Sequence, residues 1–254
     1  ERMRRYGFTE GEWERAKSNI LASVELGYNS REDRRHSYFA NRYIDNFRMG
    51  TPIYDFDTEY QLDKQLVEMI SCEMVNATIK QLYEPLKNVV IVANSPVKDG
   101  VAIPTEAELV GALKAAVAAD VEPFKDNVVK EPLISDESAL KGSKVVKSVK
   151  DESLGFTEWT LANGIKVVIK QTPYQADNIG VEAISDGGAA VFANDMYYSA
   201  QMLGGVMSMS GISKFSASDL RKQLSGKTAQ ASLGVSAYEH MVTANAALKD
   251  VETM

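Results

Sequence analysis

The sequence predicts an α+β protein of two partial α+β units, each an antiparallel sheet with helices packed on one face, joined by a long linker. Three observations lead there. Residues 1–82 carry apolar residues at helical spacing between cap residues, and Val89-Val90-Ile91-Val92-Ala93 follows as a β-branched run of strand length. Residues 97–155 are punctuated by Pro104, Pro123 and Pro132, then turn rich in Ser, Lys, Asp and Glu. Residues 156–192 alternate with period two around Asn163-Gly164, a hairpin signal. The expected units are therefore 1–96, a connector at 97–155, and 156–254.

The elements follow in order. Thr9 and Glu12 form a capping box for a helix running to about Tyr28, with Trp13, Ile20, Leu21 and Val24 at helical spacing and Phe8 and Trp13 placed as a staple. A second helix is expected from Arg31 to Arg48, stopped by Gly50-Thr51-Pro52. The acidic, aromatic stretch Asp55–Leu66 carries a short helix near its end. Ser71 caps a helix from Cys72 to Tyr83, with Met74, Val75, Thr78, Ile79 and Leu82 as its buried stripe. Glu84–Asn88 is a turn before the buried strand Val89–Ala93. In the connector, Thr105 and Glu108 cap one helix with Leu109, Leu113 and Val117 on its apolar face; the rest lies extended on the surface or forms a functional loop.

The second unit opens with the hairpin, which places Trp159, Leu161, Ile165, Val167 and Ile169 on one face across a type I′ turn. A third strand is expected at Ile179–Ser185, ended by Asp186-Gly187-Gly188. Asn194-Asp195 caps a helix to about Met209, weakened by Gly204-Gly205. Ser216 and Asp219 start another helix that Gly226 stops. Thr228–Ser236 and Glu239–Ala247 are two more strands, and Lys249 opens a truncated helix.

Composition narrows the function. The 254 residues are 44% hydrophobic and 25% charged, ordinary for a globular chain, and the net charge of −7 argues against a nucleic-acid partner. Nine of the ten arginines lie within residues 1–48, so the positive charge is unevenly placed. One cysteine, Cys72, excludes an internal disulfide and reads as a small buried side chain. No apolar run is long enough to span a bilayer. The chain starts at Glu1 and ends at Met254 as a helix opens, which suggests an excised portion of a longer protein.

The candidate chemistry is sparse. His36 sits among Arg34, Arg35 and Tyr38 on an expected helix and reads as solvated or capping. His240 heads a strand, where a surface or sheet-edge role outweighs a catalytic dyad with Glu239. Neither belongs to a His-x-x-Glu-His pair, whose spacing puts two imidazoles on one helix face. Arg31-Glu32-Asp33-Arg34-Arg35 reads as a self-paired face rather than an anion patch. Met196, Met202, Met207 and Met209 read as core filler rather than an adaptable surface. No residue is assigned a catalytic, cofactor-binding or metal-binding role.

One resemblance organises these fragments. Leu161-Ala162-Asn163-Gly164-Ile165-Lys166-Val167, the strand ending at Asp186-Gly187-Gly188, and the helix–helix–strand–strand order after it resemble the opening of a half-unit of the pitrilysin/insulinase family of zinc metallopeptidases. Tyr6-Gly7-Phe8-Thr9-Glu10 before a long helix, and the Val89–Ala93 run, resemble the end of a preceding half-unit. The resemblance implies that 1–96 is the C-terminal part of the second subunit-like domain of the first half. Residues 97–155 are then the inter-half linker, and 156–254 the N-terminal part of the inactive third domain. The family's His-x-x-Glu-His helix corresponds here to the region of Tyr197-Tyr198-Ser199-Ala200-Gln201-Met202, which has no His and no Glu.

The implied function is the non-catalytic portion of a zinc endopeptidase that hydrolyses peptides in a closed chamber, contributing wall and substrate contacts. Zinc would belong to the parent protein, with ligands outside this chain. The partners would be a peptide or unfolded polypeptide and the upstream catalytic half of the same polypeptide, with residues 31–48 and 55–63 facing the chamber. A periplasmic location is a family habit only. The alternatives are a degenerate, non-enzymatic relative serving as a scaffold or peptide-binding module, and an unrelated α+β binding module.

Overall fold

The computed structural model describes residues 1–82, 87–96 and 98–254. It is an α+β chain in which helices come first and sheets second. Five helices fill the N-terminal part: α1 (Arg2–Tyr6), α2 (Glu10–Asn29), α3 (His36–Met49), α4 (Phe56–Met69) and α5 (Cys72–Leu82). The capping box on α2 forms as expected, with the Thr9 hydroxyl accepting from the Glu12 N–H and the Glu12 carboxylate accepting from the Thr9 N–H. Two of the four orphan donors at the helix start are satisfied this way.

Several elements differ from expectation, each for a local reason. The second helix starts at His36 rather than Arg31, because Arg31–Asp33 closes a separate 3-10 turn and Arg34 and Arg35 are extended. Gly50 ends it in the left-handed conformation, as expected. The helix near Asp55–Leu66 is longer than a short terminal piece, since the Asp55 carboxylate accepts from the Thr58 N–H and caps all 14 residues of α4. The α5 stripe is not buried: Met74 and Leu82 are exposed, and Val75 and Ile79 are only half-buried. Tyr83 and most of the Glu84–Asn88 turn lie outside the described residues. Val89–Ala93 is no strand here, and Val90 is 86% exposed. Among the described residues no strand lies within 1–96 to pair with it.

In the connector, α6 (Glu106–Ala118) carries its predicted capping box, and Leu109, Leu113 and Val117 are its less exposed residues. The sheet structure begins earlier than the hairpin. β1 (Val145–Asp151) pairs antiparallel with β2 (Phe156–Leu161), which pairs with β3 (Lys166–Ile169). Trp159 faces Val167 across the hairpin, so the odd-numbered residues share a face as expected. The turn is not type I′. Gly164 alone has positive φ, at 87°, and Gly164 N–H donates to the Leu161 carbonyl while Leu161 N–H donates to Ile165. That pattern is a three-residue loop with the glycine in the left-handed position.

The later strands form a separate sheet rather than extending the first. β4 (Ile179–Asp186), β7 (Ala229–Val235) and β8 (Glu239–Ala246) lie in the order β4-β8-β7, both pairs antiparallel. A two-residue pair, β5 (Gly211–Ile212) and β6 (Phe215–Ser216), was not anticipated. The expected helix from Asn194 to Met209 is two pieces, α7 (Tyr197–Gln201) and α8 (Leu203–Ser210), with neither Asn194 nor Asp195 capping it. α9 (Ala217–Gln223) is capped by Ser216 as expected. The buried residues gather here: Ala189, Phe215, Ala246, Ala247 and Asp250 are at most 2% exposed.

Candidate functional site

The helix that the resemblance singles out rests on the β4-β8-β7 sheet. α8 packs on β7, and Gly204 makes that approach possible: a Cβ there would stand 2.2 Å from the Leu233 carbonyl oxygen. The weak point in the helix is thus also its contact point, which explains Gly204; Gly205 has open space around it. On α7, Tyr197 and Tyr198 meet edge to face at 5.4 Å. The opposite face is open. Met196, Met202 and Met209 are 52%, 67% and 82% exposed, so the methionines are not core filler. Between Met196 and Ser213 no residue is charged.

These side chains offer a metal ion nothing. Tyr197–Met202 supplies a phenol pair, a hydroxyl, an amide and a thioether, none of them a usual zinc donor. Among the described residues no group of three or more His, Cys, Asp or Glu is placed to hold a metal. His36 is the exposed first residue of α3, and the zinc ion of the family does not fit this donor set. His240 corrects the sheet-edge expectation: β8 is the central strand, where His240 pairs with Ser185 and Val235. Its ring fills the space beside Gly187, where a Cβ would come within 2.7 Å.

The arginines of residues 31–48 build a different cluster. The guanidinium of Arg34 lies 4.2 Å from the Tyr38 ring centroid and donates to the Gly27 carbonyl. Arg42 donates to the Glu59 carboxylate at 2.6 Å and to the Tyr38 hydroxyl at 2.7 Å. Glu59 beside it raises the Arg42 pKa further. Tyr28 stacks on Tyr60 at 4.4 Å, donates to Asp57, and has its phenol pKa raised by that carboxylate. Arg31 covers the other contact of Tyr28, 4.2 Å from its centroid, and its ion pair with Glu32 is 3.6 Å long. The charges of Arg31 and Arg34 are therefore spent mainly on the rings of Tyr28 and Tyr38 and the α2 carbonyls of Gly27 and Tyr28, and less on one another than the sequence suggested. An open cavity lies beside them, lined by Arg34, Arg35, Ser37, Tyr38 and Tyr174 among others.

Sequence reasoning missed a second constellation, the strap at residues 119–131. Arg2 and Arg5 donate to the carbonyls of Glu122 and Val117. Asp126 accepts from Arg15 of α2 at 2.8 Å and lies 3.2 Å from Lys222 of α9. Lys222 also donates to the Asn127 carbonyl, Gln223 to Glu131, and Lys214 pairs with Glu131. Burial pushes the Asp126 carboxyl up, but Arg15 and Lys222 outweigh it and hold it below the usual carboxylate value. Nearby, Asn29 donates to Asp177, the Ala176 N–H donates to Asp33, and Lys249 pairs with Glu25. Partners this far apart in sequence leave no spacing signal to read.

No protein-family model matches the chain. A curated zinc protease, PQQL-like, of Arabidopsis thaliana is 24% identical over 202 residues, covering 79% of this chain and 21% of that protein. The periplasmic protease PqqL from Escherichia coli is 19% identical with a TM-score of 0.45, covering 99% of this chain and 28% of that one. The ferredoxin protease FusC, solved in complex with Arabidopsis ferredoxin, is 17% identical with a TM-score of 0.43 over the same shares. TM-scores below 0.5 carry no weight for how the elements are arranged. The chain spans about a fifth of the length of its curated relative. The hairpin motif at Leu161–Val167, the Gly7-Phe8-Thr9 approach to α2 and the zinc-protease relative agree: the chain resembles a portion of a pitrilysin/insulinase-family zinc metallopeptidase.

Proposed function

We propose that this chain is a non-catalytic portion of a zinc-dependent endopeptidase, contributing chamber wall and substrate contacts. Residues 1–96 close the first half of the parent, 97–155 cross between the halves, and 156–254 open the metal-free second half. What supports this reading is the similarity to a zinc protease over 202 residues, combined with the lack of His and Glu in Tyr197–Met202, the stretch that the sequence resemblance sets against the family's metal helix. The peptide-bond chemistry and its zinc ligands belong outside these residues. What this chain supplies is surface: the uncharged, exposed face of α7 and α8 suits the apolar and backbone groups of an extended peptide. The strap at Asp126 holds α2 and α9 in one arrangement. The substrate class is peptide or unfolded polypeptide, the obligate partner is the catalytic half of the same polypeptide, and the periplasmic E. coli relative supports the same compartment.

The test compares this 254-residue chain with the longer polypeptide of its source gene. Zinc is measured by elemental analysis and cleavage with a quenched fluorescent peptide. The expected result is zinc and cleavage in the longer polypeptide and neither in the chain alone. Stoichiometric zinc with cleavage by the chain alone would overturn the reading. A longer polypeptide with neither would turn the role into that of a scaffold.

A further inference from the structure

We infer that the cavity between the start of α3 and the loop at Tyr174 and Gln175 is a carboxylate site, taking an acidic side chain or the C-terminus of the peptide substrate. The cavity is open and about 540 Å³ in volume, within the range of ligand clefts. Two arginines line it. Arg35 is exposed, and among the described residues its side chain has no hydrogen bond, ion pair or ring contact. Arg34 gives one N–H to the Gly27 carbonyl at 2.8 Å, while its Nε is buried without a hydrogen-bond partner. A guanidinium carries five donors, and buried donors are nearly always paired. This pair of arginines therefore holds bonding capacity that the described residues leave unused.

The surroundings favour an anion. The acidic neighbours are already engaged: the Asp33 carboxylate, also on the cavity wall, accepts from the Ala176 N–H at 2.8 Å, and Glu32 pairs with Arg31. Two guanidinium groups against one carboxylate leave the wall positive. α3 adds to this, because its first turn holds no acidic residue and Arg35 at its N-cap makes no side-chain cap. The positive end of a 14-residue helix is left uncompensated beside the two arginines.

The remaining wall suits a peptide carrying that carboxylate. The planar fork of arginine matches the two oxygens of a carboxylate. The Tyr38 ring, 4.2 Å from the Arg34 guanidinium, fixes the plane of that fork. Ser37 and Asn41, one turn apart on α3, line the cavity as neutral hydrogen-bonding groups. Tyr174 is 80% exposed on the opposite side and offers a flat face to the residues flanking the carboxylate. A polyanion is disfavoured, since the chain as a whole carries −7 and repels extended negative charge, whereas a single carboxylate meets the local field. The inference rests on the reading of this chain as a substrate-contacting portion of a longer protease.

Fluorescence anisotropy with this chain and three labelled peptides of one otherwise uncharged sequence tests it. One peptide has a central glutamate and an amidated C-terminus, the second a glutamine there and a free C-terminal carboxylate, the third the glutamine and the amide. At least one acidic peptide should bind about tenfold more tightly than the neutral one, the size of one charge-assisted contact. Which acidic peptide it is identifies a side-chain or a terminal carboxylate as the ligand. Arg35→Gln, at an exposed side chain, should erase the preference with an unchanged circular dichroism spectrum. Arg48→Gln, on the same helix but away from the cavity, should leave it intact. Equal binding of all three peptides, binding of none, a preference that survives Arg35→Gln, or one that Arg48→Gln erases equally would each overturn the inference. The readout needs neither zinc nor cleavage. A longer polypeptide that cleaves nothing, beside a chain that keeps the preference, retains the site and sinks the protease reading; an active one whose chain ignores the carboxylate does the reverse.

Discussion

The helices of residues 1–82 and the sheets of residues 145–246 satisfy their backbones in opposite ways. α2, α4 and α5 close their hydrogen bonds within themselves and need only Thr9, Asp55 and Ser71 to cap them. They form although almost nothing around them is buried. The β4-β8-β7 sheet depends on partners some 60 residues away, as where Ile179 meets Ala246, and there the core is dry: Ala246 and Ala189 are fully buried. Val89–Ala93 shows the same contrast from the other side. It has strand composition but no strand partner among the described residues, and so it is not a strand. A helix can be specified locally, whereas a strand is specified by what lies beside it.

The largest expected effect divides the two regions directly. Phe215 is 2% exposed and Phe47 is 91% exposed. Phe215→Ala should cost about 3–5 kcal/mol through lost transfer energy and a cavity. Phe47→Ala should stay within about 0.5 kcal/mol in this chain. Denaturant titration followed by circular dichroism reads both, and equal costs would erase the distinction between a packed and an unpacked region.

An intermediate effect belongs to the strap that joins the regions. Asp126→Ala leaves Arg15 and Lys222 facing each other without a carboxylate, and should cost about 1–3 kcal/mol. The same carboxyl gives a pH signature, shared with Asp250. Burial pushes Asp250 up, but the Thr228 N–H and Lys227 outweigh it and hold it below 3.8. A carboxyl depressed in the folded state stabilises it above the unfolded pKa, and that contribution drains as pH falls through the folded value. Stability should therefore be level at neutral and mildly acidic pH and fall below 3.8, and Asp126→Asn should flatten part of that fall. A wild-type curve with no acid limb would remove both carboxyls from the account.

The smallest effect sharpens the local side of the comparison. Thr9→Ala removes the hydroxyl that accepts from the Glu12 N–H, leaving the backbone half of the α2 capping box, and should cost about 1 kcal/mol. Thr105→Ala removes the matching side-chain bond from α6, which has no buried residue, so helicity should drop there while the denaturation midpoint of the sheets stays in place. Circular dichroism and denaturation measured on both variants separate these outcomes.

The caps at Thr9, Ser71, Thr105 and Ser216 were legible because each is a few residues reading one another. The hairpin was legible for the same reason, although its turn type was not: Gly164 alone takes positive φ, and the Asn163 side chain accepts from Ile165 instead. The donor-free α7 was legible as plain composition. What escaped were meetings across the chain. The methionines of α7 and α8 have helical spacing whether their outer face is covered or bare, so periodicity did not reveal that they are exposed. The strap at Asp126 and the junction at Asp177 join groups more than a hundred residues apart and have no local pattern.

By itself the sequence determined the α+β class, the helices capped at Thr9, Ser71, Thr105 and Ser216, the strands β2, β3, β4, β7 and β8, and the absence of zinc donors at Tyr197–Met202. These follow from hydrogen bonds and side-chain periods that close within a few residues. Tertiary structure alone decided that the strands divide into two sheets, that His240 lies on a central strand, that the connector is clamped between α2 and α9, and that Val89–Ala93 is left open. Each of those depends on which distant groups meet, and for strand, ion pair and buried core alike the stabilisation comes from the partner as much as from the residue.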